Sequence, residues 1–269
     1  MACLKRDVEV GRANIEPAMT SDIDVAIIGG GFSGLGMAIR LKQAGLHDFV
    51  VLERADEVGG TWQANTYPGC ACDVPSHLYS FSFAPNPDWT QSYSSQPEIW
   101  SYLRRCADRF GIRPHLRLKC DVESATWLEE ERRWQLETTY GTLSARVVIA
   151  GMGPLTEPRI PDIPGLDGFE GATWHSARWN HDFDLSGRRV ASIGTGASAI
   201  QYVPEIQRQV ARLHVFQRTP PWVLPHSNRP ITDRERRCTA PCRRPKSSSA
   251  AASTPAARRS CSASSRARG

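Results

Sequence analysis

Two glycine loops of one design, 165 residues apart, constrain this chain more than any other feature: Gly29-Gly30-Gly31-Phe32-Ser33-Gly34 and Gly194-Thr195-Gly196-Ala197-Ser198-Ala199. Each follows a short apolar run of buried-strand type and opens a helical pattern. Residues 24–28 predict the first strand and 33–43 the helix after it, with Leu35, Met37, Ala38, Ile39 and Leu41 as its apolar residues. Gly29 permits the tight turn, Gly31 lets backbone approach a pyrophosphate, and Gly34 lets helix and strand pack closely. Phe32 and Ser33 complete the loop, and the helix N-terminus offers unpaired N–H groups to phosphate. A second apolar run, 49–52, ends at Glu53, a carboxylate placed to accept hydrogen bonds from ribose hydroxyls.

The second loop repeats the arrangement with one change. Residues 189–193 predict the strand, 199–210 the helix and 213–216 the next strand. Ala199 holds the third glycine's place and is still small. At the offset of 24 residues where the first unit has Glu53, the second has Arg218, followed by Thr219. A carboxylate repels a ribose 2′-phosphate, whereas a guanidinium pairs with it bidentately. The contrast predicts two different dinucleotides on one chain, a flavin and NADP(H), and hence electron transfer between them.

The stretch after Glu53 favours FAD at the first loop. Gly59-Gly60-Thr61-Trp62 is a second small-residue turn, and residues 65–73 bring aromatics, a turn at Pro68-Gly69 and one acid, Asp73. Such a segment can lie along an isoalloxazine ring; ordinary core packing for Trp62 and Tyr67, and a solvated loop acid or helix cap for Asp73, are the alternatives.

Between the two loops stands Phe169-Glu170-Gly171-Ala172-Thr173-Trp174-His175-Ser176-Ala177-Arg178-Trp179. Its pattern F-x-G-x-x-x-H-x-x-x-W, carried by Phe169, Gly171, His175 and Trp179 between two dinucleotide fingerprints, resembles the Baeyer–Villiger monooxygenases. The run from Gly59-Gly60-Thr61-Trp62 through Tyr67-Pro68-Gly69 to Asp73 and Tyr79-Ser80-Phe81 is similar to that family too. Asn180 departs from it, since Pro or Asp is usual there. The resemblance covers about residues 22–237. It implies FAD and NADPH as cofactors, with a ketone and O2 as substrates. One oxygen atom enters beside the carbonyl through a C4a-peroxyflavin, giving an ester or lactone. It implies FAD contacts at Thr61, Trp62, Asp73 and Tyr79, and at the Val122 backbone toward adenine. Asp73 matches the family's acid that orients a catalytic arginine, itself expected beyond the matched region. His175 is implied to couple the two nucleotide units, consistent with a packed histidine between Trp174 and Trp179. The rivals are a flavin monooxygenase attacking nitrogen or sulfur, and an inactive nucleotide-binding fragment.

The expected fold is α/β: two Rossmann-like dinucleotide-binding domains with a β-meander, both incomplete. Residues 22–153 are expected to form the N-terminal segment of the FAD domain and 154–237 part of the NADP domain. Residues 97–110 predict an amphipathic helix with Ile99, Trp100, Leu103 and Phe110 on its apolar side. Residues 116–150 predict the meander, as 116–118, 122–128, 134–138 and 145–150.

No run of 18 apolar residues occurs, so no membrane span is expected. The first 21 residues are expected to be a flexible N-terminus without a secretory pattern, and Met19 offers an alternative start. The eight cysteines match neither zinc nor redox spacings, and Cys70 and Cys72 are too close for an easy bridge, so reduced thiols and a cytoplasmic setting are expected. From Cys238 to Gly269 the chain holds seven Lys/Arg, no acid, and no Val, Ile, Leu, Met, Phe, Trp or Tyr. Such a segment is expected to be a disordered basic tail. It suits an out-of-frame reading of a GC-rich gene better than an anion-binding extension. It also accounts for the formal net charge of +5, so no nucleic-acid partner is expected for the rest.

Overall fold

A computed structural model describes residues 22–155, 157–223 and 227–239. The expectations for residues 1–21 and for most of the basic tail, 240–269, lie outside the described residues. Strand β1 (Asp22–Ile28) leads through helix α1 (Phe32–Gln43) to β2 (Phe49–Leu52), which pairs with it in parallel, Ile27 opposite Val51. β3 (Leu116–Arg117) adds in parallel to β2. β6 (Gly141–Ala150) is parallel to β1 from Ser144 to Ala150 and antiparallel to β5 (Arg133–Thr138) from Gly141 to Ala145. With β4 (Val122–Leu128), the sheet runs β3-β2-β1-β6-β5-β4.

Residues 116–118 are therefore not part of the meander. Leu116 and Arg117 continue the parallel sheet, and the meander is β4, β5 and β6. The chain stays hydrogen-bonded beside the end of β2, Glu53 N donating to Arg117 O at 2.9 Å and Lys119 N to Ala55 O at 2.8 Å. Lys119, in the left-handed region at φ 56°, then turns it away toward β4.

Successive residues of a strand face opposite sides of the sheet, so β1 and β2 feed two cores. Ala26, Val50 and Leu52 join Cys120, Leu136, Leu143 and Ala145 of the meander side. Ile27 and Val51 join the larger core, which includes Leu35, Ala38 and Ile39 of α1 and Ile99, Tyr102, Leu103, Cys106 and Ala107 of α3 (Gln96–Arg109). A short helix, α2 (Thr61–Ala64), closes the turn after β2.

The second unit is a smaller copy. β7 (Arg189–Ile193) pairs in parallel with β8 (Arg212–Phe216), Val190 opposite Leu213, and α4 (Ala197–Ile206) connects them. α4 starts at Ala197, two residues before the position read from the sequence, because Gly196 serves as its N-cap. It stops at Ile206, short of the position read from the sequence, where Gln209 N turns back onto Ile206 O at 3.1 Å.

After β8 the chain returns to the first unit. Ser92 N donates to Arg229 O at 2.8 Å and Ile231 N to Thr90 O at 3.0 Å, and Ile231 is buried in the larger core. Helix α5 (Asp233–Thr239) follows, crossing the composition break at Cys238. Thr232 and Glu235 cap it reciprocally: Thr232 N donates to Glu235 Oε2 at 2.9 Å and Glu235 N to Thr232 Oγ1 at 3.3 Å. Arg229 beside Glu235 holds that carboxyl well below the usual carboxylate range. No helix among the described residues is long and apolar enough to cross a membrane.

Candidate dinucleotide sites

The two loops match in detail. Gly29 and Gly194 both take φ +99°, a conformation that favours glycine. Each donates its N–H to the last residue of the neighbouring strand, Gly29 N to Leu52 O at 2.8 Å and Gly194 N to Phe216 O at 2.9 Å. Neither helix has a side-chain cap or an acidic residue in its first turn. Both N-termini thus keep unsatisfied N–H groups and an uncompensated positive dipole end, which suits a phosphate.

Around the first loop the packing is close. A Cβ on Gly29 would lie 2.8 Å from Gly151 O, and one on Gly34 would overlap the carbonyl oxygen of Gly29. Gly31 faces Gly60: a Cβ on Gly31 would meet nothing nearer than Gly60 Cα, at 3.5 Å. Gly59 N donates to Gly30 O at 3.0 Å, which joins the two small-residue turns. Phe32 and Ser33 begin α1 beside this contact. Glu53 is 6 % exposed; its Oε2 accepts from Gly30 N at 2.5 Å and its Oε1 from Ala55 N at 2.9 Å. Each oxygen retains a lone pair, so the carboxylate can still accept from a ribose hydroxyl.

The second loop is open. Nothing lies within 4 Å of a Cβ built on Gly194 or Gly196. Ala199 is buried, and Gln217 Nε2 donates to Thr195 Oγ1 at 3.1 Å, tying the loop to the end of β8. Ala197 and Ser198 begin α4, while Arg218 and Thr219 are exposed just past β8. The residues fit an NADP-type dinucleotide: an open glycine loop and an exposed guanidinium just past the next strand.

The remaining candidates are spread over the fold. Phe32, Trp62 and Tyr79 gather: Trp62 Nε1 donates to Tyr79 OH at 3.0 Å, and the Phe32–Tyr79 and Trp62–Tyr79 ring centroids are both 5.2 Å apart. Trp62 is buried, and Thr61 starts α2. Val122 opens β4 and packs against the meander-side core. Asp73 is exposed, and among the described residues no cation pairs with it.

The segment around His175 reaches the second unit. A Cβ on Gly171 would overlap the Phe169 ring, so the glycine leaves room for that aromatic. His175 Nδ1 accepts from Ala177 N at 3.1 Å and caps a 3-10 turn, Ser176–Arg178. The turn delivers Trp179 onto Tyr202 of α4, centroids 5.3 Å apart. Tyr67 also lies against α4: its hydroxyl donates to Gln201 Oε1 at 3.1 Å, and its ring is 6.1 Å from that of Tyr202. Burial pushes the Tyr67 hydroxyl above its ordinary range, so it stays a donor at neutral pH. Sequence reasoning did not single out Gln201 or Tyr202; Gln201 meets Tyr67 and Ala71 130 or more residues away, and Tyr202 meets Tyr67, Trp179 and Ser192 in no local pattern.

The family described as pyridine nucleotide-disulphide oxidoreductase matches residues 26–232. A Baeyer-Villiger monooxygenase of Streptomyces coelicolor is 61 % identical over 214 residues, which cover 80 % of this chain and 41 % of that protein. The crystal structure of cyclohexanone monooxygenase from Rhodococcus sp. Phi1 bound to NADP+ is 39 % identical, with a TM-score of 0.76 over 82 % of this chain and 42 % of the other. That of OTEMO in complex with FAD and NADP is 35 % identical, with a TM-score of 0.76 over 81 % and 43 %. This chain thus spans about two fifths of the length of the relatives it matches. It belongs to the pyridine nucleotide-disulphide oxidoreductase family, and among the members of that family it resembles the Baeyer–Villiger monooxygenases.

Proposed function

We propose that this chain is the dinucleotide-holding part of a Baeyer–Villiger-type monooxygenase, with FAD at the first loop and NADPH at the second. The reaction is insertion of one oxygen atom of O2 beside the carbonyl of a small ketone, giving an ester or lactone. The observation that carries the reading is the pair of uncapped, acid-free helix N-termini, one backed by buried Glu53 and the other by exposed Arg218. FAD reduced by NADPH supplies the oxygen-activating chemistry. The residues of this chain bind and orient. Gly29, Gly31 and Gly34 let backbone reach the flavin pyrophosphate, with Phe32 and Ser33 opening the helix behind it, and Glu53 holds the adenosine ribose. Thr61, Trp62 and Tyr79 line the flavin side, and Val122 offers its backbone to adenine. Gly194, Thr195, Gly196, Ala197, Ser198 and Ala199 receive the NADP pyrophosphate, and Arg218 with Thr219 takes the 2′-phosphate. Asp73, exposed and uncompensated, is placed to orient a cation supplied by the rest of the enzyme. The titratable thiols Cys70, Cys72, Cys106 and Cys120 are free and buried, which supports a cytoplasmic setting.

The test is to express the 269-residue chain, supply FAD, remove excess flavin and add NADPH without oxygen. Retained flavin whose visible band is bleached by NADPH is the expected result. Protein that retains no flavin overturns the reading. With oxygen restored, ketone-dependent NADPH consumption distinguishes a complete enzyme from a nucleotide-holding part.

A further inference from the structure

We propose that Gln201 is a positioning residue that latches the second dinucleotide unit onto the first, by using its side-chain amide as a substitute peptide group against the backbone of Ala71. Gln201 projects from α4, five residues past Gly196. Its Oε1 accepts from Ala71 N at 3.1 Å and its Nε2 donates to Ala71 O at 2.9 Å. Both backbone groups of one residue are thereby satisfied by one planar side chain, the pairing that a neighbouring strand would otherwise provide. A third bond, from Tyr67 OH at 3.1 Å, falls on the same Oε1.

The backbones are packed as closely as the bonds suggest. Gly69 has φ +77°, and a Cβ there would lie 2.7 Å from Gln201 O and 3.0 Å from Glu205 Cγ. Tyr202, the next residue of α4, contacts both Tyr67 and Trp179, and its hydroxyl lies 2.8 Å from Ser192 Oγ. Helix α4 begins at the second glycine loop, and Asp73 lies two residues past Ala71 on the latched loop. The amide therefore joins the arm that carries one dinucleotide site to the arm that carries the acid of the other. A bidentate amide fixes orientation as well as distance. Leucine offers neither bond, glutamate loses the donor, and asparagine is one methylene short. The mechanistic consequence rests on the two-dinucleotide reading above; the latch itself rests on geometry alone.

Hydrogen exchange on the 269-residue chain, followed by mass spectrometry, tests it. In Gln201→Leu the protection of the Ala71 amide should fall about thirty-fold, the loss expected for two ordinary hydrogen bonds. Segments in β1 and α1 should exchange as in the parent. Unchanged protection at Ala71, or an equal loss in β1 and α1, would overturn the proposal, the second because it marks general destabilisation. Gln201→Glu supplies a readout that simple packing would not move. Its carboxylate can accept from Ala71 N and Tyr67 OH but repels Ala71 O, and protonation restores a donor. The Ala71 protection factor of this variant should recover as pH falls through the carboxylate range, while that of Gln201→Leu should not; absence of recovery contradicts the latch. In the flavin-loaded chain, Gln201→Leu should slow reduction by NADPH with the affinity for each nucleotide unchanged. A parent chain that binds no nucleotide would sink the two-site reading, while the exchange results would still decide the latch.

Discussion

Gly34→Ala is expected to destabilise the chain by about 3 kcal/mol, the upper range for forcing an extra methyl group into a packed core, and to abolish flavin retention. The sign is informative. In an ordinary helix interior, replacing glycine by alanine is favourable by about 1 kcal/mol. Here a Cβ overlaps the carbonyl oxygen of Gly29, and behind that turn Gly151 closes on Gly29 and Gly34. The contact is with backbone, which no rotamer change can move aside. Gly196→Ala is the control. Its φ of −73° is open to any residue and no heavy atom lies within 4 Å of the added methyl, so only the weaker N-cap preference of alanine counts and the loss should not exceed about 1 kcal/mol. Urea midpoints followed by tryptophan fluorescence, with flavin content of the purified protein, measure both.

Arg218→Ala is expected to weaken NADPH binding about thirty-fold and to leave NADH within about threefold of the parent. The larger figure corresponds to about 2 kcal/mol, the range for a hydrogen-bonded contact between charged groups. Arg218 is exposed, so the NADPH preference should shrink as salt is raised. Equal losses for the two nucleotides would place Arg218 on a part they share and remove the argument for a 2′-phosphate site. Parallel titrations at low and high ionic strength provide the comparison.

The sequence made the loops legible because their steric demands are local. A turn at φ +99°, a strand ending one hydrogen bond away and a small residue at the helix start must all fall within a few positions. Residues 49–52 were readable as a strand because all four are buried and apolar. What was not legible depends on partners far along the chain. Nothing in Leu116-Arg117 tells whether the pair joins the meander or the parallel sheet; parallel pairing with Val51 and Leu52 decides it. The return of residues 228–231 onto 90–93 has no local signal either, although Thr232 and Glu235 form a capping pattern that could have announced α5. Tyr67 looked equally suited to a flavin face or a core, and its contact with Gln201 redirects it to the junction between the two units. From the sequence His175 is expected as a packed residue; in the fold it is half-buried. That its imidazole caps the turn delivering Trp179 to Tyr202 required the fold.

Whether one chain holds two dinucleotides of different kinds at once is tested most directly by calorimetric titration of NADPH into chain already saturated with FAD. Two independent sites predict one further equivalent of NADPH per chain with the flavin still bound, and loss of that equivalent in Arg218→Ala at the same concentrations. NADPH that binds only by displacing FAD, or with an affinity unaffected by Arg218→Ala, would contradict the account.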